Sequence, residues 1–208
     1  MQRKWICGIL ILALGIGVAW YFWPRRVGEG GPLELLLYTD VQNELNLSDD
    51  QISKTTRLVQ TNWKAFEDLG LDKQNALKGK TIVRETMKSL MELLTPEQFH
   101  RLEQLQLQQL GPSIFLDRGP GVVRKLGLTE QQKDKIKELL LTSSKKRYEL
   151  YGKGAFKKLG MLDKDIFSTI MNDLNGDQKR IIQNILGEPF KGKLPPVAPM
   201  LPREAQIP

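Results

Sequence analysis

Leu47-Ser48-Asp49-Asp50-Gln51 is the first of four copies of one short phrase, and the spacing of these copies decides the fold. The other three copies are Leu94-Thr95-Pro96-Glu97-Gln98, Leu128-Thr129-Glu130-Gln131-Gln132 and Leu174-Asn175-Gly176-Asp177-Gln178. The step along the chain from the first copy to the third, Leu47 to Leu128, matches that from the second to the fourth, Leu94 to Leu174, to within a single position. Four copies in two matched pairs indicate an internal duplication.

Each copy has the chemistry of a helix N-terminus. A side-chain oxygen at the cap position accepts from the backbone N–H three residues later, and the Gln at that position reaches back to the cap N–H. Pro96 at the first helical position and the acids of each first turn suit a helix start. The phrase therefore predicts four helix starts with a structural role. The capping pairs are Ser48 and Gln51, Thr95 and Gln98, Thr129 and Gln132, and Asn175 and Gln178.

Apolar residues between the copies recur at helical spacing, whereas the runs of β-branched and aromatic residues that mark strands are missing. This pattern predicts an all-α fold in which a helical-hairpin module, a long hairpin followed by a short capped helix, occurs twice in tandem after one N-terminal transmembrane helix. In the first long helix, Trp63 and Phe66 are expected to pack in the core, the alternative being exposed contacts with a client. The predicted core stripe of that helix is Ile52, Thr56, Val59, Trp63 and Phe66, and that of its return helix is Val83, Met87, Leu90 and Leu94.

Breaks in the pattern divide the chain into four segments. Residues 1–27 form an apolar segment, and a glycine-rich hinge follows it. Residues 33–111 are predicted as the first helical module and residues 112–187 as the second. Residues 188–208 form a Pro-rich tail, predicted to be extended or disordered. One shared bundle and two separate lobes both remain open.

The apolar segment predicts a transmembrane helix. Nineteen uncharged residues run from Trp5 to Trp23, and a helix of this length spans about 28 Å. Bulky aromatic residues near both ends are typical of membrane interfaces. An uncleaved signal anchor is the favoured interpretation, and a cleaved signal peptide is the alternative. Basic residues slightly favour the N-terminus inside. We therefore expect a single-pass inner-membrane protein with its bulk in the periplasm.

The composition limits the kinds of functional site that this chain can form. The net charge of +7 favours an anionic partner. Cys7 is the only cysteine and His100 the only histidine, so a single chain forms neither a disulfide nor a His/Cys metal site. No nucleophile with a partnering base and no phosphate-binding loop is recognisable. We therefore predict no catalytic residues, no metal and no cofactor.

The order of the phrases resembles the LTxxQ-motif family, which includes the Spy-like and CpxP-like periplasmic stress proteins. The resemblance covers roughly residues 41–187, and Leu94-Thr95-Pro96-Glu97-Gln98 is the family's usual wording. It implies an envelope protein that binds other proteins without catalysis. Spy-like members are dimers that hold unfolded clients without ATP, and CpxP-like members also dock on a membrane sensor kinase. Metal-sensing relatives use histidines that this chain lacks, so that property does not carry over.

The function expected from this resemblance is an ATP-independent Spy-like chaperone or an envelope-stress adaptor. The alternative is a non-catalytic regulatory or scaffold subunit that binds one fixed membrane protein. Expected partners are unfolded or membrane-associated proteins, together with the membrane through the N-terminal helix, and nucleic acid is not expected. Because two modules lie in one chain, the protein is expected to mimic a module dimer as a monomer.

One basic and aromatic segment is the best candidate for a functional surface. Interleaved cations and rings suit an acidic unfolded client or an anionic lipid surface. The alternative is an ordinary solvated helix end and loop. The candidate residues are Lys145, Lys146, Arg147, Tyr148, Tyr151, Lys153, Phe156, Lys157 and Lys158.

Overall fold

The computed structural model describes residues 32–69, 76–116 and 121–197. These residues form helices joined by short connections and contain no strand, which confirms the all-α prediction for this part of the chain. In chain order the helices are α1 (Pro32–Leu35), α2 (Thr39–Glu44), α3 (Asp49–Leu69), α4 (Ala76–Leu93), α5 (Pro96–Leu110), a 3-10 helix (Gly111–Phe115), α6 (Val122–Leu126), α7 (Glu130–Gly152), α8 (Phe156–Asp173) and α9 (Gly176–Leu186).

The predicted transmembrane segment, residues 1–27, lies outside the described residues. Between residues 32 and 197, no described helix combines the length and the apolar character needed to cross a bilayer.

The chain forms two compact units. Of the described residues, the first unit contains those up to Gln106 together with Gly192–Leu194, and the second contains those from Leu107 to Lys191 together with residues 195–197. The division falls inside α5, a few residues before the boundary at 111 that the sequence predicts. The reason is that Leu107 is buried in the same apolar cluster as Ile114.

In the first unit, α3 and α4 pair as a hairpin. The predicted core stripe of the return helix is confirmed, because all four of its side chains are buried. The predicted stripe of α3 is confirmed at Val59 and wrong at Trp63. The buried face of α3 is formed by Thr55, Val59 and Asn62, whereas Trp63 is 39% exposed. The side chain of Phe66 lies outside the described residues.

The cause of this shift is a buried polar pair. The Asn62 amide donates a 2.6 Å hydrogen bond to the Thr86 hydroxyl, which itself donates to the Ile82 carbonyl at 2.8 Å. Turning Asn62 inward moves Trp63 about 100° around the helix axis and away from the core. A buried amide is stable when its hydrogen bonds are made inside the protein.

The second unit has an aliphatic core assembled from its helices and the 3-10 helix. Phe115 of the 3-10 helix packs against Phe167 of α8 with ring centroids 5.6 Å apart. The α7–α8 hairpin buries an apolar face whose residues recur at helical spacing. Its buried members are Ile136, Leu140, Ile166, Ile170 and Leu174.

Candidate functional site

All four predicted caps carry hydrogen bonds in both directions. The cap oxygen accepts from the backbone N–H of the Gln three residues later at 2.9–3.2 Å. The Gln Oε1 accepts from the cap N–H at 2.9–3.1 Å. Each phrase therefore forms a complete capping box at the start of a helix.

In the first unit the two capping glutamines also meet each other. Gln51 Nε2 donates to Gln98 Oε1 at 2.8 Å, and Gln98 Nε2 donates back to Gln51 Oε1 at 3.3 Å. The remaining amide hydrogens reach backbone carbonyls at the ends of other helices. Gln51 donates to the Leu93 carbonyl at 2.9 Å, and Gln98 donates to the Leu45 carbonyl at 3.1 Å.

The second unit repeats this arrangement. Gln132 and Gln178 exchange two hydrogen bonds of 3.0 Å. Gln132 also donates to the Asp173 carbonyl at 3.0 Å, and Gln178 to the Leu126 carbonyl at 3.4 Å. When the two units are aligned on the four phrases, these carbonyls correspond to those of Leu93 and Leu45.

We call each such pair a glutamine clasp. In each unit it joins two helix starts to the ends of two preceding helices, and it uses both amide hydrogens and the oxygen of each glutamine. Nothing of these side chains remains for a ligand, so the clasp is structural. Capping chemistry alone did not predict the clasp. The sequence separation of the paired glutamines could have indicated it, because it is 47 in the first unit and 46 in the second. Two antiparallel helices of about 20 residues bring the chain back to the same end of the hairpin, so residues at this separation lie close together.

One residue of the candidate basic segment does not belong to a surface. Arg147 is only 2% exposed, and its Nε donates to Asp163 Oδ1 at 2.6 Å. Its guanidinium also donates to the hydroxyl of buried Ser113 at 3.2 Å. Arg147 therefore ties α7 to α8 and to the 3-10 helix, and its inclusion in the candidate surface is wrong. Its neighbours in sequence point outward because a helix turns about 100° per residue.

The other cations of the segment are exposed. They lie on the last turns of α7, at the connecting turn, or on the first turn of α8: Lys145, Lys146, Lys153, Lys157 and Lys158. Tyr148 and Tyr151 are half-buried. Phe156 is 46% exposed, and its ring meets that of Tyr151 edge-on with centroids 5.8 Å apart.

The structure adds two exposed residues to this surface. Met161 is 62% exposed on α8, one turn beyond Lys157, and exposed Lys164 follows it. The sequence signal was present, because Lys157, Met161 and Lys164 share one helix face at spacings of four and three. We define the lysine–aromatic tip as Lys145, Lys146, Tyr148, Tyr151, Lys153, Phe156, Lys157, Lys158, Met161 and Lys164.

The tip is strongly cationic. The acidic residues between Lys145 and Lys164 are Glu149 and Asp163, and Asp163 is paired with buried Arg147. Among the residues that the structure describes, none of the six lysines of the tip forms an ion pair. Within the same described ranges, no group of three or more His, Cys, Asp or Glu side chains is arranged to hold a metal ion.

No known protein-family model, no characterised protein and no solved structure matches this chain.

Proposed function

We propose that this chain is a membrane-anchored, extracytoplasmic protein-binding module of the LTxxQ type that acts as an ATP-independent chaperone or envelope-stress adaptor. The observation that carries the proposal is the lysine–aromatic tip, where two exposed apolar side chains, Phe156 and Met161, lie among six exposed lysines. Unfolded proteins present apolar side chains that such a surface binds without a cavity.

The charge of the tip favours acidic clients. Exposed lysines attract an acidic chain over about a Debye length, close to 10 Å at 0.1 M salt, and so accelerate encounter. The tip has six lysines, and of the two acids between Lys145 and Lys164, Glu149 and Asp163, the second is already paired with buried Arg147. Binding should therefore weaken as salt increases.

The apolar part of the tip suits clients of varied sequence. The ring of Phe156 is held by Tyr151 while nearly half of it remains exposed. Met161 has a flexible, polarisable thioether, and methionine is common on surfaces that bind many partners. A fixed aromatic anchor beside an adaptable side chain is suited to weak, unspecific capture.

The helices that carry the tip are held firmly. The clasp of Gln132 and Gln178 fixes the start of α7, and the Arg147–Asp163 pair joins α7 to α8 near the tip. The tip is therefore presented by a braced hairpin rather than by a loose loop.

Two further parts of the proposal concern the origin and the location of the chain. The two clasps, bonded alike at corresponding positions of the two repeats, support a tandem duplication. The apolar run from Trp5 to Trp23 supports a membrane anchor. Membrane fractionation followed by N-terminal sequencing tests the anchor, because recovery of a soluble form that begins beyond residue 19 would contradict it.

The chaperone role is tested by aggregation of a client. The full chain in lipid nanodiscs is mixed with an unrelated acidic protein that has been unfolded by reduction, and light scattering is followed. We expect suppression at a few-fold excess of the chain and little effect of empty nanodiscs. A variant with five lysines of the tip changed to glutamine should lose most of the suppression. These are Lys145, Lys146, Lys153, Lys157 and Lys158.

A matched control removes the same charge elsewhere. Exposed lysines distant in sequence from the tip are changed to glutamine, which gives the same net charge, and this variant should keep the suppression. If neither wild type nor control suppresses aggregation, the chaperone role is wrong and a fixed partner is favoured. The control positions are Lys54, Lys64, Lys78, Lys88 and Lys125.

A further inference from the structure

Of the four methionines that the structure describes, Met161 alone is exposed. It is 62% exposed on α8, whereas Met87, Met91 and Met171 are buried or half-buried. The residue before it is Gly160, and apart from its two chain neighbours no side chain lies within 4 Å of the place that a Cβ would take there. The thioether of Met161 is therefore open to small solutes.

The surroundings of Met161 on α8 are charged. Side chains three and four positions apart are neighbours on a helix surface. The residues at these distances from Met161 are all exposed, and they are Lys157, Lys158, Lys164 and Asp165. Met161 is the only apolar side chain among them, so it alone supplies the apolar contact of this part of the lysine–aromatic tip. A chemical change at its sulfur would remove that contact.

Methionine sulfur reacts with peroxides by accepting one oxygen atom. A lone pair of Sδ attacks one oxygen of hydrogen peroxide, and the S–O bond forms as the O–O bond breaks. The departing hydroxide takes the proton of the newly bound oxygen and leaves as water, so that the sulfur is oxidised by two electrons and the peroxide is reduced by two. The sulfoxide is polar where the thioether was apolar, and a methionine sulfoxide reductase reverses the change.

We propose that Met161 is a peroxide-sensitive modification site, and that its oxidation to the sulfoxide reversibly weakens the binding of clients at the lysine–aromatic tip. This inference rests on the chaperone function proposed above. Oxidation removes one of the two exposed apolar side chains of the tip and leaves all six lysines in place. Because a larger share of the remaining attraction is electrostatic, binding by the oxidised tip should be more sensitive to salt.

The reactivity of the site is measured first, by a readout that does not depend on any client. The full chain in lipid nanodiscs is treated with hydrogen peroxide for increasing times, and mass spectrometry of its proteolytic peptides follows the oxidation of each methionine. Because oxidation depends on exposure, Met161 should react at least about tenfold faster than buried Met87. Equal rates at the two positions would overturn the proposal.

The effect on binding is measured by aggregation of the reduced acidic client, after catalase has removed the peroxide. We expect the oxidised chain to need about fivefold more protein for the same suppression. Met161→Leu keeps an apolar side chain of similar volume. It is the matched control and should suppress aggregation equally before and after treatment. Met161→Gln, polar like the sulfoxide, should resemble the oxidised chain without any treatment.

Reversal and folding are measured on the same samples. Treatment of the oxidised chain with a methionine sulfoxide reductase and a dithiol should restore the suppression. Hydrogen exchange of the α8 amides should be the same before and after oxidation, because the exposed thioether does not belong to the core. Faster exchange would mean that oxidation loosens the helix, which would contradict a local effect on binding.

The failure of this inference differs from the failure of the proposed function. If untreated wild type does not suppress aggregation, the chaperone function is wrong and the effect of oxidation on it is refuted as well. If untreated wild type suppresses aggregation and the oxidised chain suppresses it equally well, only the role of Met161 is wrong. Loss of suppression by Met161→Leu on treatment would likewise refute that role, because another oxidised residue would then be the cause.

Discussion

The hairpins α3–α4 and α7–α8 are alike at one end and different inside. Both begin at a glutamine clasp with the same hydrogen-bond pattern. In the first hairpin the buried polar pair is Asn62 and Thr86. At the corresponding positions the second hairpin has Ser143 and Ile166, and its buried polar pair lies elsewhere.

That second pair, Arg147 and Asp163, corresponds in sequence to Phe66 and Val83 of the first hairpin. The second hairpin thus has a charged pair where the first has apolar residues. Where the first hairpin has its polar pair, the second has a serine and an isoleucine. The helix ends of the two hairpins use the same hydrogen-bond pattern, because the free backbone groups at every helix end need partners. The interior of a hairpin admits several, provided that each buried polar group is satisfied.

The largest expected effect is the loss of Arg147. Arg147→Ala leaves the Asp163 carboxylate, only 25% exposed, without its cation and removes the donor to Ser113. We expect the second unit to lose about 3 kcal/mol of stability. Hydrogen exchange of the α7 and α8 amides measures this loss. Lys146→Ala, the exposed neighbour, should change stability by less than about 0.5 kcal/mol.

A double variant sharpens the comparison. Arg147→Phe with Asp163→Val gives the second hairpin the residues of the first. Replacing a buried ion pair by apolar residues of similar size is often neutral, so most of the lost stability should return. If the double variant is no more stable than Arg147→Ala, the two interiors are not interchangeable.

The ends of the hairpins were predictable from sequence, whereas the interiors were predictable only in part. Cap chemistry is local, so Ser48, Thr95, Thr129 and Asn175 could be identified from five residues each. The burial of Arg147 depends on Asp163 and Ser113, which are distant in sequence, and a run of basic residues suggested a surface instead. Likewise Asn62 is buried because its amide donates to Thr86, which is distant in sequence. The apolar spacing of α3 favoured Trp63 instead.

The next largest effect tests whether the clasps are equivalent. Gln178→Ala removes a cap bond, the bonds to Gln132 and the bond to the Leu126 carbonyl. We expect a loss of about 2 kcal/mol. Gln98→Ala, at the matching position of the first unit, should cost less because Gln98 is half-buried whereas Gln178 is buried. Urea unfolding of each variant, compared with exposed Gln131→Ala, measures this ranking. A larger loss for Gln98→Ala than for Gln178→Ala would contradict it.

The polar pair of the first hairpin should have a smaller effect. Asn62→Ala opens a small cavity and removes one donor, but Thr86 keeps its own bond to the Ile82 carbonyl. We expect a loss of about 1.5 kcal/mol. Asn62→Ser with Thr86→Ile installs the residues of the second hairpin and should recover part of it. Hydrogen-exchange rates of the α3 and α4 amides measure the loss of stability. A loss larger than that caused by Arg147→Ala would contradict the expected order of the two effects.

The smallest effect concerns the cap oxygens, where the two units should behave alike. Ser48→Ala and Thr129→Ala each remove the acceptor of one backbone N–H while the capping glutamine and its clasp remain. A loss of about 1 kcal/mol is expected in either unit, measured as a shift in the urea midpoint. Because both positions have the same two bonds between cap and glutamine, and the extra contact from the Thr129 hydroxyl to Gln132 Oε1 is long at 3.4 Å, the losses should agree within about 0.5 kcal/mol. Clearly unequal losses would mean that the two hairpin ends, although they have the same hydrogen-bond geometry, contribute different amounts of stability to their units.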